Sequence, residues 1–238
     1  MKHALVLLVL VSACSKKTEA IDAGAPDAGP KVLRPAPPAP RSCASYAACV
    51  DACDAGQAAG CYDAALAMLE LRVDGGRDLQ LVTPLATRAC ELGDGRGCAR
   101  SNDARASERL GPQCAGDGGL VTLEACELLS VWQRDHDAGA DAANSGARAM
   151  AMLEARCANE PWACARLGSA LLHGHLGRTE VPRALTLLER ACDDGVAGAC
   201  VEVTLVFLKG LPSAGIQPDP ARAAKTGRSA RELTQQQP

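Results

Sequence analysis

The sequence predicts an all-α fold, a solenoid of αα hairpins cross-linked by disulfides, and three observations carry that prediction. Cysteines recur in close pairs, with Cys53 and Cys61, Cys90 and Cys98, and Cys192 and Cys200 eight apart and Cys157 and Cys164 seven apart. The second cysteines, Cys61, Cys98, Cys126, Cys164 and Cys200, are separated by 37, 28, 38 and 36 residues, a period suited to two-helix units. After them the apolar residues fall at helical spacing: Cys61, Ala64, Ala65, Met68 and Leu69; Cys164, Leu167, Gly168 and Leu171; Cys200, Val203, Phe207 and Leu208.

The spacing of each pair forces a turn. Positions eight apart in one straight helix lie about 12 Å from each other, whereas a disulfide needs Cα atoms roughly 4.4–6.8 Å apart. Glycine or proline stands in each gap (Gly56 and Gly60; Gly93, Gly95 and Gly97; Pro161; Gly195 and Gly198), so each pair marks a helix end, a tight turn and the next helix start. The second helix of a unit is clearest at Ala184, Leu185, Leu187, Leu188, Ala191 and Cys192, and again from Ala147 to Cys157. Within the last unit, Gly215 is expected to end one helix and Pro218 or Pro220 to open the next.

One unit departs from the pattern. Only fifteen residues separate Cys98 from Cys114, too few for two full helices and their turn, so the unit near 98–126 is expected to be truncated. Spacing leaves the connectivity of Cys43, Cys49, Cys114 and Cys126 open, and Cys43 and Cys49 remain for each other by elimination. With one phenylalanine, two tryptophans and two tyrosines, the core must rest on alanine, leucine and valine.

The chain opens with Lys2, an apolar run from Ala4 to Val11 and small residues leading to Cys14, an export-signal pattern too short to span a membrane. Val11-Ser12-Ala13-Cys14 resembles the lipobox of bacterial lipoproteins. The resemblance implies that residues 1–13 are a signal peptide, that Cys14 carries a lipid, and, with Ser15 following, that the protein is held in the bacterial cell envelope at the outer membrane. Setting Cys14 aside leaves twelve of the thirteen cysteines, the even count of a paired framework in an exported protein. Structural zinc prefers cysteines two to four residues apart, usually with histidine, and a redox site would use Cys-x-x-Cys, which the chain lacks.

Residues 15–41 hold six prolines and almost no large apolar side chain, so 14–41 reads as a lipidated cysteine and a semi-extended tether, at most about 80 Å long at about 3.1 Å per residue. Residues 42 to about 230 form the repeat domain of four to five units, and 231–238 a polar tail. A net charge of −3 argues against nucleic acid as a partner.

Cys164-Ala165-Arg166-Leu167-Gly168 with Gly174-His175-Leu176-Gly177, Ala191-Cys192-Asp193-Asp194-Gly195 before Ala199-Cys200, and the Gly215 to Ala223 turn together resemble the Sel1-like repeat family, relatives of tetratricopeptide repeats. The paired cysteines resemble those of its cysteine-rich secreted branch, in which the bridge joins one repeat to the next. The resemblance implies a scaffold for protein–protein interaction, with an envelope protein or peptide as partner and no cofactor. Exposed residues of the first helices would carry binding, with Asp63, Glu70, Arg166 and Glu202 as candidates.

No set of residues in sequence points to catalysis. His173-Gly174-His175 reads as a solvated turn and Asp135-His136-Asp137 as a polar loop. Members of the same branch are linked with penicillin binding, which makes a β-lactam- or cell-wall-peptide-binding protein with weak hydrolase activity the alternative. Lys225-Thr226-Gly227 matches a triplet of penicillin-recognising enzymes, but no Ser-x-x-Lys accompanies it and the triplet falls on a predicted helix. The protein is therefore read as a non-enzyme.

Overall fold

A computed structural model describes residues 33–36, 41–69, 78–136 and 139–236. Cys14, Glu70 and Asp137 lie outside them. The described chain is helical: α1 (Tyr46–Asp54), α2 (Ala58–Leu69), α3 (Val82–Glu91), α4 (Gly95–Arg100), α5 (Ala106–Cys114), α6 (Leu120–Asp135), α7 (Gly139–Cys157), α8 (Pro161–His173), α9 (Val181–Asp193), α10 (Ala197–Lys209) and α11 (Pro220–Gln235). Among the described residues there is no strand, only one isolated bridge between Leu211 and Ile216. Each helix packs on its chain neighbours, giving the array of αα hairpins that the repeats and the Sel1-like resemblance imply. The pairs α2–α3, α4–α5, α6–α7, α8–α9 and α10–α11 are the units. The short one is α4–α5, with helices of six and nine residues.

All six bridges close between sequence neighbours: Cys43–Cys49, Cys53–Cys61, Cys90–Cys98, Cys114–Cys126, Cys157–Cys164 and Cys192–Cys200. In the last five the Cα atoms stand 4.4 to 4.7 Å apart. The eight-residue spacing has one local cause. Gly56, Gly93 and Gly195, each three residues after the first cysteine, take φ of +83°, +102° and +95°. Each donates its N–H to that cysteine's carbonyl, while the next residue's N–H reaches the carbonyl just before the cysteine (Gln57 to Ala52, Asp94 to Ala89, Val196 to Ala191, all 2.9 Å). This pair of bonds is the Schellman helix stop, which needs a left-handed residue that glycine supplies without steric cost. The Cys157–Cys164 turn is one residue shorter and has no left-handed residue; Pro161 starts α8 directly.

The residue before each second cysteine is small: Gly60, Gly97, Ala125, Ala163 and Ala199. A Cβ on Gly97 would lie 2.6 Å from the Ala86 carbonyl, and one on Gly60 the same distance from the Ala52 Cβ, so this is where the two bridged helices cross. The core that results is alanine-rich, with Ala86, Ala89, Ala106, Ala125, Ala149, Ala163, Ala184 and Ala191 fully buried beside Leu110, Leu123, Leu153, Leu167 and Leu188. Small residues let the helix axes approach closely, and the bridges replace part of the apolar area that larger side chains would bury.

Four sequence expectations change. Gly215 does not end α10; Gly210 does, and Gly215 closes a separate 3-10 turn, Pro212–Ala214. Leu208 is not part of the buried stripe but 57% exposed, aligned with exposed Val201 and Leu205 on the outer face of α10. The supposed polar tail is helical to Gln235, because Leu233 is fully buried against the core, and Asp135 lies inside α6, with His136 stacked on Trp132 at a ring separation of 4.2 Å. Leu33–Ala36, ahead of residue 42, also lies against the repeats.

A loop of eight or nine residues closed by a disulfide contributes about 2.5 kcal/mol through the unfolded chain. Replacing Cys192 and Cys200 together by alanine should lower the thermal midpoint by about 5–10 °C, and full reduction should abolish the cooperative transition followed by circular dichroism. A fully reduced protein melting at the oxidised midpoint would contradict this account.

Candidate functional site

The first helices of the units, α2, α4, α6, α8 and α10, present a shared face in which charged residues interlock. Glu124, near the start of α6, is its centre: it accepts from Arg96 of α4 at 2.7 Å, from Arg41 at 3.1 Å and from Arg166 of α8 at 3.4 Å. Arg96 is also held by Asp94, its own helix cap, through Nε and Nη2 at 3.1 and 2.7 Å, and its guanidinium covers the Tyr62 ring at 4.2 Å. Arg166 pairs with Glu127 as well. Arg96, Asp94 and Glu124 are all buried, so each charge depends on its partners for the solvation it has lost.

Burial alone would pull the Arg96 guanidinium pKa down, but the hydrogen bonds and charge of Asp94, with Glu124, more than offset it and the net shift is upward. Arg166 behaves the same way under Glu127 and Glu124. Glu127 is pushed upward by burial, opposed by Arg166 and reinforced by Glu124. The Tyr62 phenol is pushed up to about 12, by burial first and by the Glu124 carboxylate second.

Along this face runs a groove of about 230 Å³, bordered by Tyr62, Arg100, Glu124, Glu127, Leu128 and Arg166. Arg100, Leu128 and Arg166 stand two residues after successive second cysteines, as do Asp63 and Glu202, so the repeat register sets the lining. Arg100 is exposed at the edge and forms no ion pair among the described residues. A second hollow, about 310 Å³ beside Gly118 and the end of α7, contains one ion pair, Arg156–Glu160 at 3.5 Å, and no comparable cluster.

The sequence-predicted binding residues meet different fates. Arg166 borders the groove. Glu202 lies further along, accepting from Ser169 at 2.8 Å and standing 3.6 Å from His173; its other oxygen, Oε2, is buried with no hydrogen-bond partner among the described residues. Asp63 is not exposed, which corrects its assignment to a contact surface. It is 4% accessible, and its carboxylate accepts from the Ser42 N–H and hydroxyl at 2.7 and 2.6 Å. Glu70 lies outside the described residues. Glu124 and Arg96 were missed, though both stand two residues before a second cysteine, where Trp162 stands in the α8 repeat and is also buried.

Other motifs are accounted for locally. His173 ends α8, Gly174 caps it in the left-handed region, and both histidine rings are exposed and stacked at 5.1 Å; burial first, then His173 and Arg134, lowers the His175 pKa. Among the described residues no three His, Cys, Asp or Glu side chains converge as a metal site. Lys225-Thr226-Gly227 lies on α11, where the Thr226 hydroxyl meets Thr204 at 2.8 Å in a helix contact. No described helix is long and apolar enough to cross a membrane.

No protein-family model and no curated protein matches the chain. Solved structures similar over 79% of it include a Sel1 repeat protein from Oxalobacter formigenes, at 16% identity, 78% of that chain and a TM-score of 0.37, and a protective antigen of uropathogenic Escherichia coli displaying an SLR fold, at 17% and 0.34. The chain spans 41% of the second protein's length.

Removing one partner of a buried pair strands the others, at a cost of about 3–5 kcal/mol. Glu124→Ala should therefore destabilise by that amount in urea unfolding, while Arg88→Ala, which breaks an exposed pair with Glu91 at 3.4 Å, should change stability by less than about 1 kcal/mol. Equal effects would remove Glu124 from the centre of the network. Tyr62 adds a pH dependence. Its folded-state pKa lies above the unfolded value of about 10, so the folded chain keeps this proton longer, and the associated stability is present below pH 10 and lost as pH rises toward 12. Tyrosinate absorbance should show a late step near pH 12 that Tyr62→Phe removes, and a single step at pH 10 for all tyrosines would refute the shift.

Proposed function

We propose that the protein is a lipid-anchored scaffold of the bacterial cell envelope, attached through Cys14, that holds a segment of a partner protein in the groove along its first helices. The observation that carries this reading is the groove itself. It combines an exposed cation at Arg100, without an ion pair among the described residues, with apolar Leu128 and Val131, on a frame whose helix ends are covalently fixed. A partner segment with a carboxylate for Arg100 and an apolar side chain for Leu128 complements it. The bridges and the ion network pre-organise the surface, so little conformational entropy is lost on binding. The reading is non-enzymatic: the groove would act by surface complementarity alone. Nothing about the Lys225 triplet favours the β-lactam reading, because its threonine is engaged in helix packing.

A photo-crosslinking side chain at Arg100 in the native host should give a discrete adduct with one envelope protein, and the same probe at Arg88 should give none. Cys14→Ala should release the protein from the membrane fraction, end palmitate labelling and abolish the Arg100 adduct. Equal labelling from both positions, or membrane retention of the Cys14→Ala form, would contradict the groove and the anchor respectively.

A further inference from the structure

Three turns of this protein share one backbone conformation, and one of them carries a guest. At Gly56 an added Cβ would meet nothing within 4 Å, and at Gly93 only the tip of Arg109, at 3.2 Å. At Gly195 it would lie 1.9 Å from the Arg34 carbonyl oxygen and 2.8 Å from the Ala36 nitrogen. The segment Leu33-Arg34-Pro35-Ala36, far away in sequence, rests on this turn. The Ala36 N–H donates to the Gly195 carbonyl at 3.0 Å, and Leu33 packs on the hydrophobic core that includes α9 and α10. A few residues on, Ser42 binds Asp63 of α2 and Arg41 binds Glu124 of α6. Both attachments lie near the N-terminal ends of first helices.

The chemistry of the notch follows from these contacts. Gly195 is left-handed because the Schellman stop demands it, and the same missing Cβ lets a second backbone come within bonding distance of the turn. The guest supplies an apolar side chain at its first position and an N–H at its fourth. Pro35, between them, fixes φ and reduces the entropy lost on docking. Arg34 is exposed, and what it brings to the notch is its backbone carbonyl, which lies over Gly195.

We propose that the α9–α10 turn is a docking site for an extended apolar-x-Pro-small segment, and that the chain's own Leu33–Ala36 occupies it as a reversible latch. A latch held by one backbone hydrogen bond and half-buried side chains opens and closes without unfolding the repeats. In cis it has an effective concentration on the order of 1 mM, so a segment of the same pattern with an intrinsic Kd of about 0.1 mM faces about tenfold competition. The inference concerns this turn and does not depend on the groove or on the lipid anchor.

The test uses the full chain and a fluorescein-labelled peptide of residues 31–37 read by anisotropy, with amide exchange at Ala36 read by mass spectrometry. The wild-type chain should protect the Ala36 amide and bind the peptide weakly. Leu33→Ser should expose that amide and raise peptide affinity about tenfold. Gly195→Ala should expose the amide and abolish peptide binding, whereas Gly56→Ala, which carries the same left-handed strain at an empty turn, should leave both unchanged. Peptide affinity unaltered by Leu33→Ser would overturn the latch, as would an Ala36 amide in the wild-type chain that exchanges at the rate of a free peptide. Protection that depends on protein concentration would also overturn it, by assigning the contact to a second copy.

Discussion

The stapled helix stop is the constraint from which the architecture follows. A helix ends on a left-handed glycine, the chain reverses in three residues, and a disulfide ties the last turn of one helix to the first turn of the next. The Schellman bonds set the exit direction, the small residue before the second cysteine sets how closely the two helices cross, and the bridge makes both geometries persist. Because the staple fixes the phase of each first helix, residues at a constant offset from the second cysteine emerge on a common face. The groove is thus a by-product of the cross-linking register: Arg100, Leu128 and Arg166 share it because each follows its cysteine by two.

The buried charges complement the staples. Disulfides join the last helix of one unit to the first helix of the next, but they do not tie α2 to α6 or α6 to α8. Those longer connections run through Arg41, Arg96 and Arg166, all converging on Glu124. Such a cluster adds little net stability relative to apolar packing of the same volume, and it punishes any displacement that separates its members. Its contribution is therefore to relative position: neighbouring units are held in one register, and the groove between them keeps one shape.

What was legible in the sequence was whatever covalent geometry or helical period dictates. Cysteines eight apart around glycine permit few conformations, so the turns, the hairpins and the shortened α4–α5 unit could be read directly. Register alone places Arg166 and Glu202 on the face of the first helices, where both are half-buried among ion pairs. Asp63 shares that register and yet is buried, because Arg41 and Ser42 arrive from outside the repeats and cover it. The docking of Leu33–Ala36 was invisible for a related reason: a proline-rich stretch reads as a tether, and only the third dimension reveals a bare glycine turn beneath it. Gly215 misled because Gly210 had already ended α10, and a glycine that closes a 3-10 turn is indistinguishable in sequence from one that stops a helix.

The order of the bridges along the chain has a consequence for how the protein is made. The twelve cysteines pair first with second, third with fourth, and so on, with separations of 6 to 12 residues and no bridge crossing or enclosing another. When these twelve are oxidised as they emerge N-terminus first, the first cysteine of each pair finds its proper partner as the next thiol to appear. Such a protein needs an oxidant to mature and has little use for an isomerase.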